Sequence, residues 1–157
     1  MLSDVVAADR LTGISLLAAG AVLLLAGILV EGLVEALVLS LVTGSLMAVL
    51  TGWMSYHALL AAVNTRKAVP DMEFEPVRRA WARNAAVALG LLVVLGGAGV
   101  LVDALPLVSG IVLGNGGAAL WRSRRVAAWQ EERGVRLLYD ARPSWFGRPV
   151  YAAPPAR

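Results

Sequence analysis

The apolar positions of this chain gather into four long runs rather than into alternating or heptad patterns. Leu11 to Val30 is 20 residues without a charge, which at about 1.5 Å rise per residue matches a hydrocarbon core about 30 Å thick. A second run, Leu33 to about Gly52, follows at once and is interrupted only by Glu35. A third covers Ala85 to Val102 and a fourth about Leu105 to Leu120. The pattern predicts an all-α integral membrane protein with four transmembrane helices, at about 11–30, 33–52, 85–102 and 105–120. Short turns pair them into two hairpins within a domain spanning 1–120. A polar loop at 64–83 separates the hairpins, and a basic juxtamembrane tail, 121–157, follows the last span. Ahead of the first run, Asp4 and Asp9 stand against a single Arg10. That is not the positive start of a secretory signal, so the first run reads as a permanent helix.

The charges set the orientation. Four spans place all 14 Lys and Arg on one side: Arg10, the loop residues Arg66, Lys67, Arg78, Arg79 and Arg83, and the arginines of the tail. The opposite turns, around Glu31 to Glu35 and around Asp103, carry only acids. Basic residues are retained on the cytoplasmic side of a cell membrane, so both termini are expected there. All ten aromatic residues, Trp53, Trp81 and Trp121 among them, fall near or beyond the same ends of the spans. Trp and Tyr settle at the headgroup level, where an amphipathic ring is satisfied at both ends.

Composition narrows the function classes. The chain is 59% hydrophobic and only 16% charged, with a mean hydropathy of +0.72. A soluble domain carries about 25% charge, so a water-soluble globule is excluded, as is a disordered chain. Cysteine is absent and His57 is the single histidine, which removes disulfides, thiolate chemistry and any bis-histidine haem or zinc site. No cofactor is expected. No phosphate-binding glycine loop, serine-nucleophile elbow, HExxH or EF-hand pattern occurs, and a non-enzymatic role is expected. Arginine in large excess over lysine, with abundant Ala and Gly, points to a GC-rich prokaryotic genome.

Spans associate in lipid through close packing of small residues and through hydrogen bonds. Gly13, Gly20 and Gly27 recur every seven residues and share one stripe of the first span. Ser40, Gly44, Ala48 and Gly52 recur every four residues in the second, and Gly110 and Gly114 form a GxxxG pair in the fourth. These grooves either pack the chain's own helices or face another copy or another subunit. The segments AGILVEGL (26–33) and AGVLVDAL (98–105) match at five of eight positions with an offset of 72. A duplication of that kind would relate the two hairpins about an axis along the membrane normal.

Polar residues in a span are costly and often functional. Asn115, in the middle of the fourth span, is either a hydrogen-bond clamp to a neighbouring helix or a solute-coordinating amide. Glu31 and Glu35 are four apart at the first outer turn; they form a solvated turn or hold a proton or cation. Asp103, three residues before Pro106, has the spacing of a helix cap ahead of a first-turn proline. His57, beside Trp53 and Tyr56, reads as an interfacial anchor. The loop should resume helix near Pro76, and Trp121 to Arg133 should extend the fourth helix up to Gly134. Val135 to Tyr139 fits a short strand, after which four prolines discourage regular structure. Arg122, Arg124 and Arg125, just beyond the fourth span, are expected to meet lipid headgroups. Membrane lipids and either a second copy or other membrane subunits are the expected partners, and nucleic acid is not. These features together suggest an accessory or scaffold subunit of a membrane complex. The alternative is a small homo-oligomeric channel or transporter whose path is lined by Asn115, Glu31, Glu35 and Asp103.

Overall fold

A computed structural model describes residues 2–63, 74–140 and 150–153. Four helices dominate it: α1 (Val5–Glu31), α2 (Leu33–Val63), α3 (Val77–Leu101) and α4 (Leu105–Arg133). Three of them, α1, α2 and Arg78–Leu101 of α3, are long and apolar enough to cross a membrane. α4 is less apolar because it is the enclosed helix of the bundle. Ser109, Gly110, Gly114, Gly116, Ala118 and Ser123 are all buried along it, whereas α2 exposes Leu41, Val42, Leu46 and Val49.

The small-residue stripes converge on α4. A methyl added at Gly13 would meet Leu120, one at Gly20 would meet Leu113, and one at Gly27 would touch Leu105 and Pro106. The partners fall in α4 as those positions rise in α1, so the two helices are antiparallel. From the other side, Ser40 meets Ser109, Gly44 lies on the backbone of Gly110, and Gly52 packs on Ala118 and Trp121. Those numbers rise together, so α2 runs parallel to α4. Where the three helices meet, the Ser40 and Ser109 hydroxyls lie 2.6 Å apart, and the Pro106 carbonyl is 2.8 Å from each. α3 packs beside α1 and the start of α4, through Ala88, Leu92 and Leu95 against Leu23 and Leu105. α2 and α3 share no packed interface. A duplicated pair of hairpins would repeat the α1–α4 contact between α3 and α2; the 72-residue offset therefore does not extend to the packing.

At one end the turns are minimal. Gly32, at φ +98, separates α1 from α2, and its N–H donates to the Ile28 carbonyl. α4 begins without a side-chain cap. Ala104 occupies the N-cap position, while Asp103, expected as the cap, sits at φ 54 in the left-handed region.

The other end carries a sheet, which corrects the all-α expectation that allowed one short strand in the tail. β1 (Leu2–Asp4), β2 (Arg136–Asp140) and β3 (Val150–Ala153) form an antiparallel sheet in that order. Phe74 bridges to Leu2 on the free edge of β1, and the Glu75 N–H donates to the Leu2 carbonyl. The strand expected near 135–139 is β2. β1 and β3 were not expected, and β3 forms in the proline-rich stretch read as irregular, between Pro149 and Pro154. Leu2, Leu137 and Leu138 are almost wholly buried, and Leu137, Tyr139 and Val150 pack against Val5, Ala8 and Val126 at the helix ends. The start of the chain, the chain entering α3 and the tail thus meet at the same end of the bundle.

The helices also outrun the spans read from hydropathy. α1 starts at Val5 because Asp4 caps it, accepting from the Ala7 N–H at 3.0 Å. α2 continues past Gly52 to Val63, where Leu59 and Ala62 pack under the sheet. α3 starts after Pro76 and α4 stops at Gly134, φ 58, as expected. The loop residues Arg66, Lys67, Asp71 and Glu73 and the tail residues Arg142, Trp145, Phe146, Arg148 and Arg157 lie outside the described residues.

Candidate functional site

Where α2 and α3 diverge beneath the sheet, a cleft of about 820 Å³ opens. Its floor is α1, through Val5, Asp9 and Thr12. One wall is α2, through Ser55, Ala58 and Leu59, and the other is α3, through Arg83, Asn84 and Val87. Arg122 of α4 and Tyr139 of β2 close it at the back. Polar groups enter at one level because each lies just outside a hydrophobic run. Asp9 and Asn84 precede runs, and Ser55 and Arg122 follow them. Trp53 and Trp81, both exposed, stand at the same level on α2 and α3.

At the back of the cleft Asp9 and Arg122 form an ion pair. The Arg122 guanidinium donates from Nε to Oδ2 at 2.7 Å and from Nη2 to Oδ1 at 2.5 Å, the two-pronged geometry that makes charge-assisted bonds strong. The side chains are 9% and 24% exposed, respectively. Burial opposes the charge of Arg122, but the Asp9 carboxylate outweighs it and holds the guanidinium above its ordinary value. Asp9 occupies two of the five N–H groups that a guanidinium carries. On the α3 side, Arg83 pairs with Glu75, whose side chain is 3% exposed. Between α1 and α3, the Thr12 hydroxyl donates to Asn84 Oδ1 at 3.2 Å, while Asn84 Nδ2 donates to the Ala80 carbonyl. Ser55 donates to the Gly52 carbonyl of its own helix. The cleft is therefore a polar shelf, with one guanidinium fixed by a buried carboxylate and a second on the opposite wall. Val87 of α3, Leu59 of α2 and Val150 of β3 supply its apolar lining.

Sequence reasoning did not single out Asp9, Thr12, Asn84 or Arg83. Asp9 counted only as a weak point in a signal peptide, although an acid just before the first span faces a base just after the last when both spans end at one membrane surface. Thr12 and Asn84 stand at the starts of the first and third hydrophobic runs, and a hydroxyl and an amide at span ends carried no signal that they would meet. Arg122, expected at the headgroups, is turned inward onto Asp9, whereas Arg124 and Arg125 are exposed and Arg125 stacks 5.7 Å over the Trp121 ring.

The expected transport constellation is divided. Glu31, Glu35 and Asp103 lie together at the opposite end, in the two outer turns, where one Glu31 carboxylate oxygen is buried without a partner. Asn115 is ten residues into α4, about 15 Å along the axis. Its amide donates to the Ile111 carbonyl of its own helix at 2.8 Å, with no bond to a neighbouring helix among the described residues. The helix-packing residues Gly13, Gly20, Gly27, Ser40, Gly44, Gly52, Gly110 and Gly114 all sit at contacts between α1, α2 and α4. His57 lies 4.4 Å from the Trp53 ring and 5.7 Å from Tyr56. No sequence family, curated protein or solved structure matches the chain.

Proposed function

We propose that this chain is a four-span protein of a cell membrane, with both termini cytoplasmic, that serves as a non-enzymatic accessory or scaffold subunit and binds its partner laterally through α3. α4 lies beside α1 from Gly13 to Gly27, so a bilayer that α1 crosses is crossed by α4 as well. The arginines gathered at the sheet end support the orientation under the positive-inside rule. The observation that carries the partner reading is the outer face of α3. Gly90 and Gly97 have nothing within 4 Å of an added methyl group, whereas the glycine stripes of α1 and α2 are closed against α4. Ala82 and Ala86 continue the exposed face, and small residues in lipid let a second backbone approach closely.

Native mass analysis of the protein, gently extracted from its own membranes, tests this reading. A different protein recovered at fixed stoichiometry, and lost in a Gly90→Leu, Gly97→Leu variant of unchanged stability, is the expected outcome. Recovery only as a homo-oligomer that passes ions through reconstituted vesicles would replace it with the channel reading.

A further inference from the structure

We infer that β3 is a pairing edge for a second copy of this chain: two β3 strands join antiparallel about a two-fold axis along the membrane normal, with Tyr151 facing its own counterpart. The inference uses the membrane placement but not the partner surface on α3.

The two edges of the sheet differ. On β1 the Leu2 carbonyl accepts from the Glu75 N–H at 2.8 Å and Phe74 bridges to Leu2, so that edge is closed. On the outer side of β3 no backbone bond is made among the described residues. Edge strands are commonly blunted by charge, by proline or by a cover. Val150–Ala153 reads VYAA, without charge or proline, and Ala152 is exposed.

The register shows which groups this edge offers. Leu2 directs its backbone toward Glu75, away from β2, and successive residues of a strand alternate. Ser3 and Tyr139 therefore exchange bonds between β1 and β2, while Arg136 and Leu138 turn toward β3. Their partners Ala153 and Tyr151 bond inward, so Val150 and Ala152 present N–H and C=O outward. Pairing Val150 with Ala152 of a second copy, and Ala152 with its Val150, uses every one of these groups. Pro149 and Pro154, the neighbours of the strand in sequence, have no N–H with which to lengthen the ladder.

Symmetry selects a second copy. Leu137, Tyr139 and Val150, on one face of the sheet, cluster with Val5 and Ala8 of α1 and Val126 of α4, and Leu59 and Ala62 of α2 pack against them. A face that rests on three helices at one level lies across the bundle, so the perpendicular to the sheet runs along the helices. Two identical edges pair antiparallel about an axis perpendicular to the sheet, which here is the membrane normal. A two-fold in that direction leaves both copies in the same orientation in one bilayer. The membrane has then already removed much of the rotational freedom that association costs.

The test uses the full chain in its own membranes, oxidised with copper phenanthroline and resolved without reductant. The chain has no cysteine, so a single introduced one can link only to another molecule. Tyr151→Cys lies on the axis in a non-hydrogen-bonded pair, with Cα atoms about 4.5 Å apart and within disulfide reach. It is expected to give a dimer of twice the chain mass. Ala152→Cys is held roughly 8 Å from its counterpart by strand rise and spacing, beyond that reach, and should stay monomeric. Adding Ala152→Pro to Tyr151→Cys removes an outward N–H, a change that edge strands tolerate. The dimer should be lost with unfolding in SDS unchanged. Ala153→Pro removes an N–H bonded to β2 and should lower stability. Gly90→Leu with Gly97→Leu should leave the dimer intact, which separates this edge from the α3 surface. No dimer from Tyr151→Cys, an equal yield from Ala152→Cys, or a dimer that survives Ala152→Pro would overturn the pairing. Loss of stability in Ala152→Pro equal to that in Ala153→Pro would overturn the assignment of the outward groups. Tyr151→Cys linked only to a different protein would overturn the second copy in favour of another chain's strand.

Discussion

Gly114 and Gly117 lie three residues apart on α4, and the same substitution at each should move stability in opposite directions. A β-carbon at Gly114 would run into the Gly44 carbonyl of α2 and lie 2.9 Å from Met47 Cβ, whereas one at Gly117 meets nothing within 4 Å. The obstruction at Gly114 is largely backbone, so no rotamer change relieves it and the two helices must separate. Overpacking of a fitted core costs about 1–3 kcal/mol, and Ala returns at most about 1 kcal/mol of helix propensity over Gly. At Gly117 only the propensity gain operates. The propensity gain is common to both, so the two alanine variants should differ by the overpacking cost alone, about 1–3 kcal/mol. Gly27→Ala should fall beside Gly117→Ala, because its nearest neighbours, Leu105 and Pro106, stand at ordinary contact distances of 3.5–3.6 Å. Unfolding by SDS in mixed micelles reads the difference through tryptophan fluorescence, since Trp53 and Trp121 flank the α2–α4 seam. Gly114→Ala stability within about 0.5 kcal/mol of Gly117→Ala, the range of an ordinary surface substitution, would refute the close packing of α2 on α4.

Three further outcomes follow from the polar contacts. Asp9→Asn should cost about 3 kcal/mol, the lower end for breaking a buried pair, because Arg122 is 24% exposed; adding Arg122→Gln should recover part of that loss, and strict additivity in the double-mutant cycle would rule out the coupling. Ser40→Ala should cost about 1 kcal/mol, in the range of interhelical hydrogen bonds in lipid, and less once Ser109→Ala is present, which the same titration measures. Asn115→Leu should leave stability and assembly unchanged, since its amide serves only the Ile111 carbonyl among the described residues; a variant that no longer extracts as an assembled protein would show that Asn115 holds a neighbouring helix.

Hydropathy made the helices legible because burial in lipid imposes a length and a composition on every span. It marked α4 only by its shortest run, about Leu105 to Leu120, since a helix enclosed by protein trades apolar bulk for Gly, Ser and Ala that let two backbones come close. The stripes at Gly13, Gly20 and Gly27 and at Ser40, Gly44 and Gly52 were visible as spacings, but a spacing does not name its partner. Both turned out to face the same helix from opposite sides. The sheet was the least legible element. β1 is three residues long and pairs across the whole chain with Leu138, Tyr139 and Asp140, and a strand that short acquires its identity only from what lies beside it.

The cleft follows from the asymmetry of the packing. Glycines on α1 and α2 turn both helices toward α4, and α3 is left to pack on α1, through residues such as Ala88 and Leu92. A helix held on one side cannot also close on α2, so a gap must remain at their shared end. Asp9 stands at the wall of that gap with its side chain only 9% exposed, and a carboxylate that deeply placed is costly without a counter-ion. Arg122 of α4 removes that cost by pairing with Asp9, and Arg83 of α3, which also lines the cleft, is paired with Glu75. The sheet then joins the ends of α1 and α4 through Asp4 and Arg136, paired at 2.6 Å, so the polar shelf is fixed before anything binds. Each charge named at the cleft is thus held by a counter-ion, Asp9 by Arg122 and Arg83 by Glu75, and side chains held in that way keep one geometry and have little freedom left to lose.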